Sequence, residues 1–188
     1  MNNTTQDDFA DMVLHADAEG KKERARKKYS EWKKWIQTFI QIFVLFVILL
    51  TLLFRYVIGV AQISGHSMDP TYKDGQTVWF NRLDRDYQKG DIVCFRLPTG
   101  DLLVKRIIAV GGDVVDLRDG AVYVNGDKLD ESGYAHGATE EEAGEMTYPY
   151  TVPEGSYFVM GDNREDSVDS RSFKAIVGAA IKGELFGT

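Results

Sequence analysis

The chain has 188 residues, 44% of them hydrophobic, and carries a formal net charge of −7 with a pI near 5.0. That length suits one ordinary globular domain plus something smaller, and the acidic balance argues against a dedicated nucleic-acid binder, which would normally be basic. A single cysteine, Cys94, excludes an intrachain disulfide, and within the apolar run DIVCF it reads as a small buried hydrophobe.

Residues 1–20 are polar and acidic and read as a frayed or loosely helical tail. The block KKERARKKYSEWKK follows, with eight basic and two acidic residues between Lys21 and Lys34. Residues 1–35 thus form a tail that ends in a basic block. From Ile36 to Phe54 nineteen residues carry no charge, broken only by Gln37, Thr38, Gln41 and Thr51. As a helix this run covers about 28 Å, close to the thickness of a bilayer core. It is apolar all round from Ile42 to Leu50, so a transmembrane helix over 36–54 is expected. The positive-inside bias places the N-terminus in the cytoplasm and residue 55 onward outside the cell membrane, with Trp32 and Trp35 at the interface. A cleaved signal peptide is the rival reading, because Gly59-Val60-Ala61 offers small residues. Against it stand the length of the run and the 35 residues before it.

Beyond the span the pattern changes to short β-type runs separated by Gly, Asp and Asn. Strands are predicted at Thr77–Asn81, Asp91–Arg96, Leu102–Val110, Val114–Leu117, Ala121–Val124, Ser156–Met160 and Ala175–Ile181. VDLRDGAVYVNG reads as a hairpin closed at Asp119-Gly120. Residues 127–150 are acidic and weakly periodic and read as an exposed excursion. Residues 55–188 are therefore expected to form a mostly antiparallel β domain outside the membrane, large enough for a real core.

The stretch SGHSMDPT, residues 64–71, puts a serine beside a histidine just past the span. If this is extended chain turning at Pro70, His66 points away from the Ser67 hydroxyl. His15 falls before the span and His136 in the excursion, so no Ser-His-Asp set is well placed. A lysine can act as the base instead, provided that its amine is unprotonated, which apolar burial achieves. Lys73, Lys89, Lys128, Lys174 and Lys182 sit beside turns or charged neighbours. Lys105 alone lies within a long apolar run, LLVKRIIAV. Alternation puts Leu103, Lys105, Ile107 and Ala109 on one face and Val104, Arg106, Ile108 and Val110 on the other. Ser30-Glu31-Trp32-Lys33 matches an S-x-x-K motif but lies in the basic block, with no pocket-forming sequence around it. The third polar segment is GDNREDSVDSR, residues 161–171, directly behind the apolar SYFVM. Here Ser167 is a candidate to hydrogen-bond and orient the lysine amine, while Asp169 and Arg171 brace the turn.

SGHSMDPT, KGDIVCF, VKRIIAVGGDVV and GDNREDSVDSR, in that order behind an N-terminal anchor, resemble bacterial type I signal peptidases in their compact, Gram-positive-like form. The resemblance runs from the span to about Gly183. It implies the family's antiparallel β fold, Ser67 as nucleophile, Lys105 as general base, and Ser167, Asp169 and Arg171 as catalytic support. It also implies secreted preproteins as substrates, cut after small residues at −3 and −1. In some members a serine two residues before the nucleophile helps to hold the oxyanion; here that position is Gly65, which leaves the Ser67 backbone N–H with less help.

On this reading Ser67, twelve positions after Arg55, works near the outer surface of the bilayer, where a preprotein cleavage site emerges. Met68 is a candidate lining residue of the small-residue pocket. The rivals are a Ser-Lys autoprotease of the repressor-cleaving type and a membrane-tethered β domain that binds exported chains without cutting them. With no clustered His and Cys ligands, neither a metal nor another cofactor is expected.

Overall fold

The computed structural model describes residues 4–141 and 146–186. It divides into two compact units, Met1–Thr51 and Leu52–Thr188.

The first unit is one helix, α1 (Thr4–Leu52), which continues into a π-helical turn at Leu53–Val57 in the second unit. Where a loosely helical tail is expected, the helix already runs from Thr4, through the basic block and into the apolar run. Within Glu19–Val57 it is long and apolar enough to cross a membrane, and none of its most apolar window is buried. Side chains such as Phe39, Ile42, Phe43 and Phe46 stand exposed all round the helix. Such a surface is stable in hydrocarbon and costly in water.

The second unit is built on two antiparallel sheets. The strands are β1 (Ile58–Gln62), β2 (Thr77–Asn81), β3 (Ile92–Arg96), β4 (Leu102–Val110), β5 (Val114–Arg118) and β6 (Ala121–Val124), then β7 (Asp127–Lys128), β8 (Tyr150–Thr151), β9 (Ser156–Met160), β10 (Ile176–Val177) and β11 (Ile181–Leu185). The larger sheet has the order β1-β2-β11-β3-β4-β9-β10 and the smaller β7-β6-β5-β8. Val115, Leu117, Val122 and Val124 from the small sheet pack against Ile108, Ala109, Phe158 and Met160 of the large one. A second cluster gathers Ile63, Met68, Tyr72, Val78, Phe80, Ile92, Cys94 and Leu185. A third holds Tyr87, Val93, Phe95, Ile107, Val159, Ile176 and Ile181. The expected β5–β6 hairpin forms, with Arg118 opposite Ala121 and positive φ at both Asp119 (53°) and Gly120 (69°). That is the two-residue turn whose twist matches paired strands.

Four features depart from the sequence reading. The predicted strand Ala175–Ile181 splits into β10, a 3-10 turn at Gly178–Ala180 and β11, which runs on to Leu185. β11 inserts between β2 and β3 at a place where only glycine fits: a Cβ on Gly183 would lie 2.1 Å from the Asn81 carbonyl oxygen. β1 lies in sequence that reads as the exit from the span. In β4 the expected alternation holds only as far as Ile107, because a register shift against β9 falls between Ile107 and Ala109. Beyond this bulge Ala109 joins Ile108 in the first cluster, and Val110 packs on the third with Ile107. Finally, the excursion is tied down rather than simply exposed. β7 and β8 extend the small sheet from its two ends, and Thr139 is buried.

Candidate active site

Ser67 lies in a turn, not in extended chain. The Asp69 N–H donates to the His66 carbonyl (3.0 Å) and the Tyr72 N–H to the Met68 carbonyl (2.9 Å). The His66 ring is turned to Asp69, with Nδ1 3.1 Å from Oδ2, and its side chain is largely exposed. The described partner of the His66 ring is thus Asp69 of the same turn, not the Ser67 hydroxyl. Met68, 1% exposed, drives into the second core cluster and anchors the turn, and it also lines the cleft beside Ser67.

Lys105 lies on β4, on the half whose partner is β3 alone; β9 joins only from Arg106 onward. Lys105 Nζ donates to Ser67 Oγ at 2.5 Å. The side chain is 3% exposed, and Lys105 is the one buried lysine among the described residues. Burial pulls its amine down to about 8; the carboxylates of Asp169 and Asp162 oppose that shift and the Arg171 guanidinium adds to it. Relative to a free lysine this favours the neutral amine by roughly 3 kcal/mol and leaves about a tenth of it neutral at pH 7. Gln62, Ile63, Ser64, Asp101, Leu102, Leu103 and Val104 complete the walls of a cleft of about 280 Å³ that is also lined by Ser67 and Lys105.

The segment 161–171 wraps around this pair. Asp169 is fully buried and caps helix α2 (Ser170–Phe173). Its carboxylate accepts from the Arg171 side chain through Nε (2.9 Å) and Nη2 (2.9 Å), from the Gly161 N–H (3.1 Å) and from Ser167 Oγ (2.8 Å). Asp169 and Arg171 are thus paired with each other inside the segment. The Ser167 hydroxyl donates to Asp169, and the described hydrogen bond of the Lys105 amine runs to Ser67 rather than to Ser167.

Three residues that the sequence reading left without a role complete the frame. Asp162, fully buried, accepts two hydrogen bonds from Arg106, at 2.9 and 2.8 Å, and one from Thr71 Oγ1 at 2.5 Å. Arg106 is the neighbour of Lys105, and Thr71 belongs to the serine turn, so one carboxylate joins both halves of the pair. The Asn163 N–H adds a bond to the Ser67 carbonyl (3.1 Å). A Cβ on Gly161 would lie 2.4 Å from that same carbonyl oxygen and 2.2 Å from Ser167 Oγ, so close approach demands glycine there. The sequence signal for Asp162 and Gly161 was their place at the head of a polar run behind an apolar strand.

Gly65, at φ 88°, donates its N–H to Asp74 Oδ1 (2.9 Å), and a Cβ there would meet open space. No hydrogen bond from the Ser67 N–H is made among the described residues. The Cys94 thiol is fully buried and pushed up to about 12 by that burial, which makes it inert. Among the described residues no group of His, Cys, Asp and Glu side chains is placed to hold a metal.

The family model described as signal peptidase, peptidase S26, matches residues 32–187. Signal peptidase IB of Staphylococcus aureus (strain Mu50) is 35% identical, over 81% of this chain and 88% of that protein. Signal peptidase I of Bacillus licheniformis is 34% identical, over 80% and 83%. The crystal structure of a signal peptidase I from Enterococcus faecalis V583 matches with a TM-score of 0.45 and 36% identity, covering 53% of this chain and 97% of that one.

Proposed function

The chain belongs to the peptidase S26 family of signal peptidases, and from that premise we propose that it cuts preproteins with a Ser67–Lys105 dyad at the outer face of the membrane. The observation that carries this reading is the 2.5 Å contact between Ser67 Oγ and a buried, deprotonation-prone Lys105 amine. In the first step the neutral amine takes the Ser67 proton as Oγ attacks the scissile carbonyl. The Ser67 N–H donates to the oxyanion that forms. Collapse of the tetrahedral intermediate breaks the peptide bond, and Lys105 returns the proton to the leaving amine. Lys105 then deprotonates a water that attacks the acyl-serine, releasing the signal peptide and restoring the hydroxyl.

The cleft supports a preference for small side chains at −3 and −1, because Ile63, Met68, Leu103 and Val104 wall it with apolar groups and leave about 280 Å³. The helix within Glu19–Val57 serves as the anchor, and the basic block holds its N-terminal end in the cytoplasm. Secreted preproteins are the substrates, and the bilayer is the second partner.

Purified full-length protein in detergent, mixed with a preprotein bearing an Ala-x-Ala site, tests the dyad. Ser67→Ala and Lys105→Ala are each expected to reduce cleavage by more than about a thousandfold, as loss of either member of such a pair does. Cleavage that survives Lys105→Ala would require another base.

A further inference from the structure

The segment between β7 and β8, which reads as solvated surface in the sequence, lies against the polar loop that frames the reactive pair. Glu131 grips Arg164 with both carboxylate oxygens, one at 2.9 Å from Nη1 and the other on Nη2. The Arg164 side chain is fully buried and also donates to Thr139 Oγ1 (2.7 Å) and to the Gly161 carbonyl (2.9 Å). Tyr134 lays its ring over the Arg106 guanidinium, 4.1 Å from the ring centroid, and its hydroxyl donates to Glu131 (3.2 Å). The His136 backbone closes the contact: its N–H donates to the Asp162 carbonyl (2.7 Å) and its carbonyl accepts from the Arg164 N–H (2.8 Å). Each of these bonds ends on Arg106, on residues 161–164 or on a neighbour within the segment. Arg106 and Asp162 are the two residues that couple the Lys105 strand to the Ser67 turn.

We propose that residues 131–139 are a positioning strap for the reaction, in which Glu131 and Tyr134 hold Arg164 and Arg106 and thereby fix the separation of Ser67 Oγ and Lys105 Nζ. Glu131 and Tyr134 touch neither reacting group; they act through Asp162 and Gly161. A buried Arg164 that loses Glu131 has no other carboxylate among its described partners, so the loop must shift to hydrate it. Tyr134 shields the Arg106–Asp162 pair from water and gains from the cation facing its ring. The strap therefore bears on kcat, because an error of about 1 Å between reacting groups costs on the order of a hundredfold in rate.

This inference rests on the Ser67–Lys105 reading. Its test uses the full chain in detergent micelles, a fluorogenic peptide with Ala at −3 and −1, and the variants Glu131→Ala, Glu131→Gln, Tyr134→Leu and Tyr134→Phe. Glu131→Ala and Tyr134→Leu are expected to lower kcat by about tenfold or more, with KM within about twofold. The acid limb of the pH–rate profile should move upward as water reaches the amine. Glu131→Gln and Tyr134→Phe, which keep the shape and part of the contact, should recover most of the rate. If Glu131→Ala does not fold, the two Tyr134 variants decide the matter. Variants that melt at lower temperature but keep kcat and the pH profile would overturn the strap and leave only a structural brace. Lys105→Ala, assayed alongside, separates the two levels. If it is inactive while Glu131→Ala and Tyr134→Leu are normal, the strap alone is lost; if it is active, the dyad falls and the strap's target with it.

Discussion

Under the proposed dyad, a lysine kept dry at 3% exposure serves catalysis at the expense of stability. Its amine, pulled down to about 8, must be neutral to accept the serine proton. The rate, read as kcat/KM, is therefore expected to rise with pH along an acid limb centred near 8; a limb near 10 would mean that the amine is hydrated in the working enzyme. The same group imposes a linkage with a definite sign. The folded state binds the Lys105 proton less tightly than the unfolded chain, so stability rises with pH between about 8 and 10.5. Lys105→Met should then be inactive yet more stable at pH 7 by up to about 3 kcal/mol, an advantage that fades by pH 10.5. Thermal melts at pH 7 and at pH 10.5 check both halves of that statement. Gly161→Ala is the complementary case: the added carbon collides with the Ser67 carbonyl, and both folding yield and activity should drop sharply. Lys105 was legible in the sequence because one amine amid aliphatic residues is rare. The partner of Ser167 was not, since spacing cannot tell which of two nearby acceptors or donors a hydroxyl will meet.

At the scale of elements, period-2 patterning located the strands whose neighbours are fixed by burial. It failed where a strand owes its existence to its partners. β1 consists of Gly59, Val60 and Ala61 between Ile58 and Gln62, a weak signal beside a membrane span, and it is recruited by β2 along all five residues. β11 carries a glycine at its centre because the Asn81 backbone leaves no room for more. The bulge in β4 explains how Ile108 and Ala109 enter one core cluster while Ile107 and Val110 pack on another, a change of face that simple alternation misses. Gly183→Val should separate β11 from β2 and cost several kcal/mol, through steric collision at a buried backbone contact rather than lost hydrophobic area. Urea melts of Gly183→Ala and Gly183→Val, each against the unsubstituted chain, give the size of that collision, which the Ala Cβ already makes.

For the whole molecule, composition and a single apolar run were enough to separate one long apolar helix from a β unit, and the order of four short motifs was enough for the family. How the segment after β7 folds was beyond reach, because acidic, weakly periodic sequence looks the same whether it is solvated or pinned by buried arginines. Orientation should follow the basic block: replacing Lys27, Lys28, Lys33 and Lys34 with Glu is expected to give a mixed topology, scored by protease protection of each end in vesicles. A charge placed mid-run, as in Leu45→Arg, should cost about 3 kcal/mol of membrane insertion and shift protein into the soluble fraction.

A protease with the proposed preference for small residues would carry a bait of its own just past its apolar helix: Gly59, Val60 and Ala61. That bait is already zipped to Phe80, Trp79 and Val78, and the Phe80 ring covers Gly59 so closely that a methyl group there would overlap it. To bite itself, a copy would first have to peel that ribbon away from a neighbour and thread it through its own cleft. The intact mass of the purified chain should therefore stay unchanged through a long incubation at neutral pH, while loosening the ribbon with Val78→Pro should let it be clipped.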